Sequence, residues 1–175
     1  MQNQVCVFDN GKHLMDIVLR EAVLEDAPLL AHLTRACWAG KVAPNSSGHS
    51  ETHERVEHDL IRGGAFILLV NEEPAGSVRW LPLDDEGHVW EMRRMGVLPT
   101  FRGHALSQHL LEAVIHQALA SGVEELRLGV RADQPRLVDL YAAYHFELAP
   151  EVDYSQIASI ETQLESPPNV MRRYL

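Results

Sequence analysis

Cysteine is scarce in this sequence, and neither a long apolar run nor a charged leader is present. Cys6 and Cys37 are the two cysteines in 175 residues, too few for a disulfide framework, so reduced thiols are the simpler expectation. No stretch approaches the roughly 18 apolar residues that a membrane helix needs. Residues 1–14 lack a basic flank followed by an apolar stretch, which disfavours a secretory signal. We therefore expect a cytoplasmic protein without a membrane partner.

Basic residues are also in short supply. The chain has 15 Lys and Arg against 25 Asp and Glu, a formal net charge of −10. A nucleic-acid-binding protein normally presents a basic face, so this balance disfavours a nucleic-acid partner. It is compatible with a cationic substrate such as an amine, although many surfaces are acidic for solubility alone.

The spacing of apolar residues predicts a mixed α/β domain with no internal repeat or linker. The predicted order is strand, two helices, three strands, helix, strand, helix and final strand material. These elements fall over residues 16–22, 25–37, 50–61, 65–70, 75–81, 88–98, 105–120, 124–130, 135–144, 146–152 and 170–174. We place a single domain over residues 15–175. Residues 1–14 show no clear period and are interpreted as an N-terminal extension.

The segment EMRRMGVLPTFRGHALSQHLL, residues 91–111, carries the strongest chemical signal. A strand ends near Val97, a proline turn follows, and Arg102-Gly103-His104 leads into a helix. A helix N-terminus presents unpaired N–H groups and a positive dipole end, so this turn suits a phosphate group. The alternative is an ordinary strand-to-helix connection with a glycine turn.

This segment resembles the coenzyme A-binding motif of the GNAT superfamily (GCN5-related N-acetyltransferases). The family motif is Gln/Arg-x-x-Gly-x-Gly/Ala, preceded by a strand ending Val-x-Pro. Here residues 102–107 follow Val97-Leu98-Pro99. Ala105 replaces a family glycine, and Ser107 stands where the family has Gly or Ala. Both are small residues that can adopt helical dihedral angles.

A second segment resembles the same family. Residues 134–146 match Asn-x-x-Ala-x-x-Leu-Tyr-x-x-x-Gly-Phe, with Tyr141 and Phe146 in place. Gln134 stands at the Asn position and His145 at the Gly position. The two motifs occur in the family's order, and the resemblance extends from about Ile17 to the end of the chain.

The resemblance implies a fold, an acyl donor and a set of contacts. The expected fold is α/β (α+β, three-layer), a GNAT-like twisted mixed β-sheet flanked by helices and splayed at the central strand for coenzyme A. The implied donor is acetyl-coenzyme A, without a metal. Backbone N–H groups of residues 95–97 would bind the pantetheine arm as an added strand does, and one would polarise the thioester carbonyl. The expected cofactor-binding residues are Met95, Gly96, Val97, Arg102, Gly103, His104, Ala105, Leu106, Ser107, Gln108 and Gln134.

Glu91 and Tyr141 are the catalytic residues that the resemblance implies. An alkyl ammonium, with a pKa near 10, must lose a proton before its nitrogen attacks a thioester. Glu91 occupies the strand position of the base in the histone-acetylating branch, where a strand bulge is expected. Tyr141 matches the tyrosine that protonates the departing thiolate. The alternatives are a salt-bridged carboxylate on an arginine-rich strand and a tyrosine that packs the helix.

The implied reaction is N-acetylation of a primary amine of a small molecule or peptide by direct attack in a ternary complex. Within enzymes, the alternatives are transfer of a longer acyl group and transfer to oxygen. Outside enzymes, the alternative is a catalytically inactive coenzyme A-binding sensor or partner-binding domain. Many relatives are homodimers, so a homodimer is a candidate assembly.

Acceptor pockets in this family are built from variable loops, here about residues 40–50 and 153–169. Trp38, His49 and His53 are the candidate substrate contacts, with a core position as the alternative for Trp38. His49 and His53, and His53 and Glu57, have the four-residue spacing of metal ligands on a helix. The surrounding charges favour a solvated face instead, and no metal is expected.

Overall fold

A computed structural model describes residues 3–9, 13–42, 44, 46–131, 134–154 and 167–175, with the backbone alone for residues 3–9, 13 and 14. The strands are β1 (Asn3–Asp9), β2 (His13–Glu21), β3 (Gly64–Val70), β4 (Glu73–Pro82), β5 (Val89–Val97), β6 (Glu125–Val130), β7 (Glu147–Leu148) and β8 (Asn169–Tyr174). The helices are α1 (Ala27–Trp38), α2 (His53–Arg62), α3 (Leu106–Ala120) and α4 (Pro135–Ala143). None of these described helices is long and apolar enough to cross a membrane.

The backbone groups into two compact units, Met1–Leu81 with Arg94–His116 and Pro82–Arg93 with Gln117–Leu175. In the first unit, β1 to β4 follow one another as antiparallel neighbours. In the second unit, β5 pairs in parallel with β6 through Val89, Trp90 and Glu91, and β8 pairs antiparallel with both β6 and β7. Parallel and antiparallel pairs, together with the helices, confirm the predicted mixed α/β architecture.

β1 is a strand that the sequence pattern does not predict. Its seven residues pair with β2 from Asn3 opposite Leu19 to Asp9 opposite His13. β2 begins at His13 and therefore crosses the predicted boundary between residues 14 and 15. The division into an N-terminal extension and a domain over residues 15–175 stays a prediction.

The first unit buries one face of α1 against α2 and β3. Asp26 and Pro28 mark the start of α1 as predicted, and Arg20 donates two hydrogen bonds of 2.7 Å to the Asp26 carboxylate. The Arg20 guanidinium lowers the pKa of Asp26. The buried cluster consists of Ala27, Leu30, Ala31, Leu33, Val56, Ala65 and Ile67. The apolar spacing of residues 25–37 is therefore the spacing of the buried face.

β4 carries a buried arginine. Arg79 is 1% exposed, and its guanidinium lies 2.5 Å from the Glu51 carboxylate and 3.0 Å from that of Asp59. The Nε of Arg94 on β5 lies 2.9 Å from the same Glu51 oxygen. Buried charges need partners, and removing one member of a buried pair typically costs about 3–5 kcal/mol. The sequence analysis did not predict this network. Its one visible signal is an arginine within the apolar run of β4.

α4 ends in a Schellman motif. The Phe146 N–H donates to the Tyr141 oxygen at 3.1 Å, and the His145 N–H donates to the Ala142 oxygen at 3.0 Å. The rings of Tyr141 and Phe146 meet edge to face at 5.9 Å, the apolar contact that often accompanies this motif. His145 has φ +64°, in the left-handed region that favours glycine. Helix termination thus explains the spacing of tyrosine, the glycine position and phenylalanine.

Replacing His145 by glycine should stabilise the protein. The side chain is exposed and its backbone is left-handed, so His145→Gly removes strain of about 1–2 kcal/mol, partly offset by the flexibility of glycine in the unfolded chain. We expect a gain of about 1 kcal/mol, or roughly 2–4 °C in Tm. Thermal unfolding of His145→Gly beside His145→Ala measures it. The alanine variant keeps the strain and should show no gain, and an equal gain in both variants would contradict this explanation.

Candidate functional site

β5 leaves the extended conformation at Arg94. This residue has φ +55°, which is uncommon for a residue that carries a Cβ. An irregularity of this kind re-aims the side chains that follow it, so strict alternation no longer relates Glu91 to Met95 and Val97. A left-handed residue thus lies three residues after the candidate base, and the strand bulge that the resemblance implies there stays a prediction.

Gly96 of β5 lies close to the end of α1. A Cβ on Gly96 would lie 2.8 Å from the Cβ of Cys37 and 3.1 Å from a ring carbon of Trp38, so the position has no room for a side chain. On the neighbouring strand, a Cβ on Gly76 would lie 2.5 Å from the Gly96 oxygen. The predicted pantetheine-binding end of β5 is therefore held closely by α1 and β4.

Arg102 fastens the turn that follows β5. Its Nε donates to the Val97 oxygen and its Nη2 to the Cys37 oxygen, each at 3.1 Å. Cys37 lies in the last turn of α1, where a cation also interacts favourably with the helix dipole. The first residue of the predicted coenzyme A motif thus positions the turn.

The turn itself is open to solvent. Gly103, His104 and Ala105 are exposed, and a Cβ on Gly103 would meet nothing within 4 Å. Gly103 has φ +93° and Ala105 has φ +55°. Such left-handed residues can direct successive N–H groups into an anion-binding concavity, and this one opens the 15-residue α3 at its positive end. The turn therefore fits phosphate groups such as those of coenzyme A.

The structure corrects the expected conformation of Ala105. We expected helical dihedral angles, but Ala105 precedes α3 and is left-handed. Leu106 begins the helix and is buried, Ser107 is half-buried and Gln108 is exposed. Ala105 thus adopts a conformation that glycine takes without strain, at a cost of about 1–2 kcal/mol.

Tyr141 and Gln134 belong to the second unit. Tyr141 is 6% exposed, and burial raises the pKa of its phenol. The phenol therefore stays protonated at neutral pH and keeps a proton to donate. Gln134 is the residue before α4, and its N–H donates to the Arg131 oxygen at 3.0 Å.

Glu91, also in the second unit, is 3% exposed on β5. Its carboxylate lies 3.8 Å from the guanidinium of Arg93, two residues along the strand. The salt bridge that the sequence offered as an alternative is therefore present. A base role requires the acceptor, or a water molecule, to reach the same carboxylate.

Cys37 lies beside β5 but is poorly suited to act as a nucleophile. Burial raises the pKa of its thiol to about 11, and the opposing effect of the Arg102 charge is smaller. The reactive form of cysteine is the thiolate, which is scarce at neutral pH with such a pKa. Cys37 therefore offers no support for a covalent acyl-enzyme.

Two of the three predicted acceptor contacts support the loop between α1 and α2. Trp38 Nε1 donates to Ser46 Oγ at 3.2 Å, and its ring covers Gly48, where a Cβ would lie 2.5 Å away. His49 Nε2 donates to the Val42 oxygen at 3.0 Å. His53 is different, since its side chain is 53% exposed and pairs with Glu54 at 3.1 Å. Ala43, Asn45 and residues 155–166 of the predicted acceptor loops lie outside the described residues.

One of the two spacings considered for metal ligands is interrupted, whereas His53 and Glu57 both lie on α2. His49 lies in a short 3-10 turn, Ser47–Ser50, whereas His53 begins α2, so the two do not share a helix. Among the described residues, Asp84, Glu86 and His88 bring potential ligand atoms within 4.8 Å of one another. Asp84 accepts the N–H groups of His88 and Val89 at 3.2 and 3.1 Å, which gives it a structural role in closing that turn.

Known proteins resemble this chain in sequence and in fold. It is 33% identical over 128 residues to the urease accessory protein UreF of Escherichia coli O157:H7, covering 68% of this chain and 56% of that protein. It is 29% identical over 131 residues to an IAA acetyltransferase of Azospirillum brasilense, covering 74% and 82%. The chain thus spans little more than half the length of the UreF relative.

Among solved structures, the chain resembles the PaiA N-acetyltransferase of Thermoplasma acidophilum in complex with coenzyme A. The TM-score is 0.70 at 14% identity, over 91% of this chain and 99% of that one. At this identity the likeness shows the fold alone.

Residues 28–146 match the acetyltransferase (GNAT) family. The match covers more than half of the chain and includes both motifs on which the resemblance depended. Members of this family use acetyl-coenzyme A and an acceptor substrate. The chain belongs to the acetyltransferase (GNAT) family.

Proposed function

We propose that the protein is an N-acetyltransferase that moves the acetyl group of acetyl-coenzyme A to a primary amine of a small molecule or peptide. The observation that supports this most is the exposed turn at the start of α3. Its left-handed Gly103 and Ala105 come after the end of β5, where Gly96 lets α1 approach closely, and after the short 3-10 turn Pro99–Phe101. The end of the strand, the turn and the start of the helix lie in the first unit. Together they could bind both the pantetheine arm and the phosphates.

The acyl donor supplies an activated thioester, and the chain supplies its binding. N–H groups of residues 103–107 would hold the pyrophosphate, and the backbone of residues 95–97 would hold the pantetheine arm. Arg102 lies between these two segments and fixes their relative position, because it donates to the Val97 oxygen and to the Cys37 oxygen of α1. The Gln108 N–H donates to the Ala105 oxygen at 2.9 Å, so Gln108 would contribute through its exposed side chain. Gln134, before α4, is the remaining proposed contact.

The proposed chemistry is direct attack in a ternary complex. Glu91, acting through water, takes the proton of the ammonium, and the freed amine forms a C–N bond with the acetyl carbon as the C–S bond breaks. Tyr141 gives its phenolic proton to the departing thiolate, and the second proton that the amine nitrogen loses as the amide forms restores the phenol, while the proton on Glu91 passes to water. The raised pKa of the buried Cys37 thiol supports a route without an acyl-enzyme.

The alternative, an inactive coenzyme A-binding sensor or partner-binding domain, drew on the replacement of family residues at positions 105, 107 and 145. Ala105 and His145 both adopt the left-handed backbone that glycine would take, so two of these replacements preserve the shape of the chain. Retention of both Glu91 and Tyr141 argues further against an inactive domain, so we favour the enzyme. A cationic acceptor, a homodimer and a cytoplasmic location are further proposals, the first supported by the net charge of −10.

Thiol release from acetyl-coenzyme A tests the proposal. The purified chain is supplied with a panel of primary amines consisting of lysine methyl ester, spermidine, tyramine and a peptide with an N-terminal alanine. Amine-dependent release of coenzyme A, with mass-spectrometric detection of the N-acetyl product, would support the enzyme. Tight binding of acetyl-coenzyme A without turnover on any amine would favour the sensor.

Tyr141→Phe should lower kcat about 100-fold or more while leaving the Kd for acetyl-coenzyme A unchanged, because the ring contact with Phe146 survives and only the proton donor is lost. Steady-state kinetics and calorimetry measure the two quantities. A kcat within about twofold of wild type would assign Tyr141 to packing alone.

Glu91→Gln should lower kcat/KM about 100-fold or more at neutral pH, because the amide cannot take up a proton. Glu125→Gln on β6 is a matched control, since Glu125 is also buried and pairs with Arg127 two residues along its own strand at 2.6 Å. The control should keep its activity. Equal losses in both variants would point to buried salt bridges that support the fold, and would remove Glu91 from the chemistry.

A further inference from the structure

We infer that Arg94 is a positioning residue that ties the loop before α2 to the irregular point of β5 and thereby shapes the acceptor side of the site. Its Nη2 donates to Ser47 Oγ at 2.7 Å, and its Nε lies 2.9 Å from the Glu51 carboxylate. Ser47 is the first residue of the 3-10 turn that holds His49, and Glu51 directly follows this turn. We call residues 46–51 the latch loop. The Arg94 guanidinium contacts this loop near both of its ends.

The carboxylate at the far end of the latch loop is itself fixed. Glu51 is 4% exposed and also binds Arg79, whose other carboxylate partner is Asp59 of α2. Arg35 of α1 donates to the Glu51 backbone oxygen. Residues of α1, β4 and β5 contact Glu51, and α2 is connected to it through Arg79, so several elements of the first unit set the position of Glu51. Arg94 adds the link from this cluster to Ser47.

The conformation of Arg94 agrees with a selected role for its side chain. At φ +55° any residue except glycine is strained, and long side chains rarely stand there. Arginine presents donors on separate nitrogens of a planar fork, whereas lysine has its three donors on one nitrogen and glycine has no side-chain donor. The contacts to Ser47 and Glu51 offset the strain. If the side chain were merely tolerated, glycine would be the better residue.

Consequences for function follow from where the latch loop lies. It belongs to the loop region proposed to line the acceptor pocket, whereas the proposed contacts of acetyl-coenzyme A lie from Met95 onward. Loosening the latch loop should therefore raise the KM for the amine and leave the affinity for acetyl-coenzyme A intact. This kinetic consequence rests on the proposed function, but the ordering of the loop does not.

Hydrogen exchange on the full chain tests the ordering directly. Amide exchange of residues 46–51 is compared in wild type, Arg94→Gln, Arg94→Gly, Arg94→Lys and Ser47→Ala, with the exposed Arg62→Gln as the control for loss of one positive charge. We expect exchange to rise at least about tenfold in Arg94→Gln and Arg94→Gly, less in Arg94→Lys and Ser47→Ala, and not at all in Arg62→Gln. Adding Ser47→Ala to Arg94→Gln should cause no further rise, because the bond it removes is already lost.

Kinetics with the fastest amine of the panel provide the second readout. Arg94→Gln should raise the KM for that amine about tenfold, with kcat and the Kd for acetyl-coenzyme A within about twofold of wild type, and Arg94→Lys should recover part of the loss. Unchanged exchange in Arg94→Gln, or slower exchange in Arg94→Gly, would overturn the inference. So would weakened binding of acetyl-coenzyme A with an unaltered KM for the amine. If the wild-type protein acetylates no amine, the proposed function is wrong. Hydrogen exchange then still tests whether Arg94 orders the latch loop.

Discussion

The first unit depends on the pairing of buried charges at Glu51. Two arginines from neighbouring strands, Arg79 and Arg94, converge on this carboxylate, and Arg79 also meets Asp59. A buried guanidinium without a partner would be costly, so β4, β5 and the start of α2 can adopt only arrangements that keep these groups together. The apolar residues of α1 form a buried cluster with Val56 of α2 and with Ala65 and Ile67 of β3. The ion network selects the geometry in which the loop before α2 reaches the strand proposed to hold the acyl donor.

A second constraint is backbone shape at three positions without glycine. Arg94, Ala105 and His145 are all left-handed, and the last two occupy positions where the family has glycine. Each lies at a change of direction, respectively within β5, before α3 and after α4. The chain therefore retains the turns that its family builds with glycine, although it carries residues that adopt them at a cost.

Elements with a local signal could be predicted from the sequence. Helical spacing and turn residues located α1 to α4 and β2 to β6 within a few residues, and both family motifs proved sufficient for recognition. β1 was not predicted because its residues show no alternation of apolar and polar side chains. The Glu51 network was not predicted because Arg79 and Arg94 lie 28 and 43 positions after Glu51 in the sequence. No local sequence pattern encodes contacts over such separations.

The candidate site divides in the same way. The turn at Gly103 and the Schellman end of α4 could be placed from motif spacing, because each is a local backbone structure. The supporting roles of Trp38 and His49 could not, because they depend on how a loop folds against a helix. No pattern in the sequence indicated that Arg102 bonds the carbonyl of Cys37 in α1, or that Ala105 would be left-handed.

The proposed function requires that the turn before α3 bind the phosphates of acetyl-coenzyme A although Ala105 replaces glycine. Calorimetric titration of wild type and Ala105→Gly with acetyl-coenzyme A measures this binding. We expect one micromolar site per chain in wild type, and equal or tighter binding in Ala105→Gly, because glycine adopts the same backbone without strain. Absence of detectable binding in both proteins would contradict the assignment of this turn to the phosphates.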